Sequence, residues 1–158
     1  MAKEKEADMT GDNQIFDKEF EAAFWRIETL RHDNPALWGK MNVAQMLAHC
    51  SEVQEVFNGK ELKNTPWFLK LMGGYIRKMV FNDKPFPHST RTHSQYIVDD
   101  ERDFESEKLR LVAALNSLKN GAPHPDNARH PLFGEMSQQE KTVASFKHLD
   151  HHLQQFGV

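Results

Sequence analysis

From Phe16 onward the apolar residues recur at helical intervals. Phe16, Phe20, Ala23, Phe24, Ile27 and Leu30 share one face, opposite Asp17, Lys18, Glu21 and Arg26, and this spacing predicts an amphipathic helix that ends at or just before Pro35. A second stripe, Val43, Met46, Leu47, Cys50, Val53 and Phe57, starts after Asn42, which forms an N-cap pair with Gln45, and stops at Asn58–Gly59. After Pro66, the residues Trp67, Phe68, Leu71, Met72, Tyr75, Ile76 and Met79 fall on a third face around the pair Gly73–Gly74. Phe104, Leu109, Leu111, Val112, Leu115 and Leu118 predict a helix capped by Asp99 or Asp100 and closed by Asn120–Gly121. Ser137-Gln-Gln-Glu140 is a capping box ahead of Val143, Phe146, Leu149, Leu153 and Phe156.

The connections read as loops. Asn34 to Lys40 carries Trp38 and Gly39, Lys84 to Arg91 carries Pro85, Pro87 and His88, and Ala122 to Glu135 carries three prolines and two histidines. Alternation at strand spacing is absent except for a short piece at Gln95 to Val98. The fold expected is all-α. Four long helices, each with one apolar face, bury those faces together as a bundle, and Trp67 to Val80 is an extra, crossover helix. Residues 1–13 are polar and charged and read as a mobile tail, with a single domain over 14–158.

Composition narrows the function. The chain of 158 residues carries 20 Lys+Arg against 23 Asp+Glu, and no basic block suited to several phosphates occurs, so nucleic acid is not expected as a partner. The longest apolar stretch, Trp67 to Ile76, is interrupted by Lys70 and the glycine pair, too short for a membrane span. The first residues lack the apolar core of a secretory signal, and Cys50 is the lone cysteine; both point to a cytoplasmic protein without disulfides.

Histidine is the unusual entry in the composition, with nine in all. His148 and His152 are one helical turn apart, so both imidazoles can aim at one point. A helical wheel sets them on the flank of their apolar stripe, at the mouth of a cleft, and sets His49 inside its own apolar arc between Val53 and Val56. Three neutral imidazoles leave coordination positions open on a divalent ion, the arrangement of a catalytic site. His151 points away from this pair. Gln45 and Asp150 are candidates to orient the rings, although a helix-surface amide and a loop-bound carboxylate explain them as well. His88, His93, His124 and His130 lie in or near loops that can fold over the cleft. His32 suits a helix C-terminus.

Two stretches, Trp38-Gly-Lys-Met-Asn-Val-Ala-Gln-Met-Leu-Ala-His49 and His130-Pro-Leu-Phe-Gly-Glu-Met-Ser with Lys147-His-Leu-Asp-His-His-Leu-Gln-Gln-Phe-Gly157, resemble an uncharacterised branch of the DinB/YfiT-like superfamily. The resemblance covers about Phe16 to Gly157. It implies an up-down-down-up four-helix bundle with a divalent metal held by His49, His148 and His152. Three imidazoles suit zinc, nickel, iron, cobalt or copper, the first three foremost, and by the same resemblance relatives use a low-molecular-weight thiol. The expected function is therefore metal-dependent transfer of a thiol to a small electrophilic substrate, or its hydrolysis. The alternative is a helical binding or assembly protein without metal.

For Trp67 to Val80 the choices are core packing, a lid over the cleft, a homodimer contact or a membrane surface, and core packing is the expectation. Trp25, Trp38 and Trp67 are likewise expected to pack, and Cys50 is expected to be a small buried hydrophobe.

Overall fold

The computed structural model describes residues 2–121 and 129–158, with side chains from Phe16 onward except that of Lys70. His124 lies outside the described residues. The described residues form six α-helices: α1 (Ala2–Thr29), α2 (Val43–Phe57), α3 (Trp67–Leu71), α4 (Gly73–Val80), α5 (Phe104–Lys119) and α6 (Gln138–Gln155). Among the described residues there is no strand. Gln95 to Val98, the stretch with strand-like spacing, instead contributes to a 3-10 turn over Ser94–Tyr96.

The helix boundaries follow from local chemistry. The Asn42 side chain accepts from Gln45 N–H while the Gln45 amide accepts from Asn42 N–H, and Ser137 and Glu140 do the same for α6; each box satisfies two donors that a helix start leaves open. Gly59 and Gly121 follow the ends of α2 and α5 with φ of 103° and 67°, where a side chain would be strained. Two boundaries differ from expectation. The cap of α5 is Asp103, which accepts from Ser106 N–H, because residues 99–102 continue as an extended connection. The α1 backbone begins at Ala2, ahead of the apolar stripe that starts at Phe16.

The main core gathers Phe20, Ile27 and Leu30 of α1 and its C-terminal end, Met46, Leu47 and Cys50 of α2, Leu111, Leu115 and Leu118 of α5, and Leu149 and Leu153 of α6. The closest partnership is α2 with α5. Arg110 of α5 reinforces it by reaching Glu52 at 2.7 Å and Glu55 at 2.6 Å on α2. Connecting segments build a second apolar cluster, in which Val53, Val56 and Phe57 meet Leu62, Val80 and Tyr96, with Leu132 and Phe133 against them. Along α2, His49 falls between Leu47 of the first cluster and Val53 of the second.

The segment after Pro66 departs most from expectation. It is two helices that abut at Met72, and most of its apolar side is not core: Trp67, Phe68, Leu71, Met72 and Tyr75 are exposed, while Ile76 of the same stripe packs against the second cluster. The opposite side of α4 does the packing, because Gly73 lies directly on the Leu132 carbonyl, and Arg77 donates to the Phe133 carbonyl and pairs with Glu140. Trp25 is also exposed, and Trp38 is half-buried. Packing is the expectation for all three tryptophans; Trp38 meets it in part, stacked on His88 in its turn, whereas Trp25 and Trp67 face outward because other positions of their helices make the packing contacts.

Candidate metal centre

Two elements supply the three histidines, α2 one and α6 two. His49 is 5 % exposed on α2, and His152 is 9 % exposed on α6, with His148 one turn earlier and half-buried. Each ring offers a nitrogen, and these nitrogens lie within 4.8 Å of one another. His49 Nε2 and His148 Nε2 are 3.0 Å apart. Nitrogens sharing one ion at bond lengths of about 2.0–2.1 Å and right-angle to tetrahedral geometry are separated by about 2.8–3.4 Å. The spacing of this pair therefore suits a common ion.

Hydrogen bonds on the far side of the rings decide which nitrogens face inward. His49 Nδ1 lies 2.7 Å from the Tyr96 carbonyl. A carbonyl only accepts, so Nδ1 carries the proton and Nε2 keeps a lone pair. His152 Nδ1 lies 2.8 Å from Gln155 Oε1, and the amide of Gln155 donates to the Trp38 carbonyl at 2.7 Å. That second bond assigns the amide orientation, so His152 Nδ1 is the donor and its Nε2 is also free. The His49–His148 contact is a hydrogen bond only when His148 is protonated on Nε2. Moving that proton to its Nδ1 makes Nε2 a third lone pair.

The Trp38-Gly39 turn makes this arrangement possible. Gly39 has φ of 81°, and a Cβ placed there would meet Gln155 Nε2 at 2.6 Å. Leu37 N–H donates to the Gln155 main-chain carbonyl at 2.8 Å, so the turn is tied to α6 by backbone as well. This cover buries His152, which the helical wheel had set at an open mouth; a wheel ranks positions only within their own helix.

Electrostatics favour the neutral form of all three rings. Burial pushes His49 below the usual imidazole range, and burial followed by the neighbouring His152 and His49 pushes His148 well below it. His152 is lowered to about 3, by burial first and by His49 second. Neutral imidazoles at physiological pH are what a cation requires of its ligands, since it competes with protons for the same lone pairs.

The other singled-out residues separate clearly. His151 points off the cluster toward the 84–91 loop, where its ring contacts His88 and Phe86, while His88 stacks on Trp38 with centroids 3.9 Å apart. His93 caps the 3-10 turn by accepting from Gln95 N–H. His130 accepts from Leu132 and Phe133 N–H and stacks on Phe133, so the His-Pro-Leu-Phe-Gly stretch is a built turn. His32 is exposed beyond α1. Neither suggested orienting residue touches the rings. Gln45 is spent on its capping box and the Asp100 carbonyl, and Asp150 pairs with Arg26 of α1 at 2.7 Å. Cys50 is buried against Met46, with its thiol pushed far up by burial. Sequence reasoning missed Gln155 and the Tyr96 carbonyl; the only signal for the former was its place three residues after His152.

A family model described as Protein of unknown function (DUF1569) matches residues 10–157. The chain belongs to that family. Neither a curated protein nor a solved structure matches it. Both ends of the histidine site in this DUF1569 chain, α2 and α6, lie within the matched span. No described helix is long and apolar enough to cross a membrane. A cavity of about 500 Å³, bordered by Glu52, Lys60, Lys63 and Gln95, opens elsewhere and takes in none of the three histidines.

Proposed function

We propose that His49, His148 and His152 hold one divalent transition ion, of the zinc, nickel and iron group, in a DinB/YfiT-like enzyme acting on a small electrophilic molecule. In this reading α1, α2, α5 and α6 form the four-helix bundle, and the reaction is transfer of a low-molecular-weight thiol or hydrolysis. The observation that carries it is the meeting of one nitrogen from each of the three rings within 4.8 Å, with the Tyr96 carbonyl and Gln155 holding His49 and His152 in the tautomers that leave Nε2 free. Three protein ligands leave at least one position of a four-coordinate ion for a reactant. A bound ion supplies positive charge that lowers the pKa of a thiol or of water toward neutrality.

The chain's own contribution is orientation and exclusion of water. Tyr96 and Gln155 fix the tautomers of His49 and His152. Trp38, His88 and His151 line the flank of the cluster with aromatic surface, against which an apolar part of a substrate would rest.

Elemental analysis of protein purified without a histidine tag tests the reading. About one equivalent of transition metal per chain is expected. Less than about a tenth of an equivalent after metal supplementation overturns it and leaves a helical protein without an ion. Replacing His49 or His152 with Ala removes the metal while the circular dichroism stays helical. Loss of metal from His151→Ala, with retention in His148→Ala, would disprove the ligand assignment.

A further inference from the structure

We propose that α3 and the first half of α4 form a docking face for the surface of an anionic lipid bilayer. Trp67, Leu71 and Tyr75 are 74 %, 76 % and 67 % exposed, and they recur every four residues, so they stand in one row. Phe68 and Met72 extend the row by one position each and are exposed too. Scattered surface apolar residues need no explanation, but five large ones in one contiguous row do.

The face is rigidly presented. Met72 joins the two helices with its N–H bonded to the Phe68 carbonyl and its own carbonyl accepting from Ile76 N–H. Gly73 against Leu132, Arg77 on the 133–135 backbone and Glu140, and buried Val80 clamp the other side to the body of the protein. The outward row therefore cannot turn inward without breaking that clamp.

Charge selects the occupant. From Leu62 to Asn82 the sequence contains Lys63, Lys70, Arg77 and Lys78 and no Asp or Glu, in a chain whose net charge is -3. Among the described residues Lys63, Lys78 and Lys84 are exposed and have no carboxylate partner. A second copy of the chain pairing through this face about a two-fold axis would bring two positively charged patches together. An anionic headgroup layer instead meets the lysines with opposite charge while the row enters the acyl boundary. Trp67 and Tyr75 suit that depth, since each has an apolar ring and a polar edge. This reading stands independently of the metal centre.

Cosedimentation of the full chain with vesicles is the test. Vesicles of phosphatidylcholine containing about 30 % phosphatidylglycerol are expected to bind at least about tenfold more tightly than phosphatidylcholine alone, and less tightly at high salt. The accompanying blue shift of tryptophan emission is expected to be lost in Trp67→Phe. Leu71→Glu, and separately Lys63→Glu with Lys78→Glu, should each weaken binding at least about tenfold with circular dichroism unchanged. Failure to bind, equal binding to both vesicle types, or unchanged binding of Leu71→Glu overturns the proposal. So does a lipid-free dimer in sedimentation equilibrium that Leu71→Glu dissolves, which would assign the face to a second copy.

Discussion

His152 Nδ1 lies 2.8 Å from Gln155 Oε1, and the other end of the same amide holds the Trp38 carbonyl at 2.7 Å. One side chain thus fixes a ring tautomer and fastens that ring to a turn more than a hundred residues away in sequence. Replacing a group that orients a metal-bound histidine typically costs 10–100-fold in metal affinity. Gln155→Leu is expected to weaken metal binding by about that factor, measured by competition with a chromophoric chelator. Gln155→Glu keeps the acceptor for His152 but loses the donor to Trp38, so its affinity should fall less. Equal affinity of wild type and Gln155→Leu would remove Gln155 from the site.

The two adjacent glycines of α4 should respond in opposite senses. A Cβ on Gly73 would overlap the Leu132 carbonyl, which is backbone and cannot swing aside, whereas a Cβ on Gly74 meets nothing within 4 Å. Gly73→Ala is expected to destabilise by roughly 2 kcal/mol or more through overpacking. Gly74→Ala is expected to stabilise by about 0.4–1 kcal/mol, through lower entropy of the unfolded chain. Urea denaturation of the two variants beside wild type measures both.

His130 makes stability depend on pH. Burial, with a smaller effect of Lys141, lowers its pKa to about 4, against about 6.5 in an unfolded chain. Below 6.5 the unfolded chain binds the extra proton first, so the native state loses stability as pH falls. The contribution is fully present above about pH 6.5, declines from there to about pH 4, and amounts to on the order of 3 kcal/mol. His130→Asn keeps an acceptor for Leu132 and Phe133 N–H but does not titrate. The stability difference between wild type and this variant should be flat above pH 7 and should move in the variant's favour between pH 6.5 and 4. A difference independent of pH over that range would contradict a neutral, buried His130.

Much of the helical scaffold was legible in the chain. The stripes through Val43 to Phe57 and Val143 to Phe156, the two capping boxes and the left-handed glycines after α2 and α5 depend on residues three or four apart, and such spacing is local. The pairing of His148 with His152 is of the same kind, and the burial of His49 follows from its place among Val53 and Val56. The cap of α5 was misplaced because residues 99–103 offer three aspartates, and only the path of the preceding connection selects Asp103.

What the sequence by itself determined is where helices form and which of their faces are apolar, because helical periodicity is a property of neighbours. The tertiary structure decided which polar groups those faces meet. Tyr96 reaches His49, and Trp38 reaches Gln155, only because one connection folds over the middle of α2 and another over the C-terminal end of α6. It likewise decided that Trp67, Leu71 and Tyr75 point outward, since the Leu132 carbonyl and the Arg77–Glu140 pair hold α4 by its other side. A stripe shows that a helix has an apolar face; only packing against distant residues shows whether that face is covered.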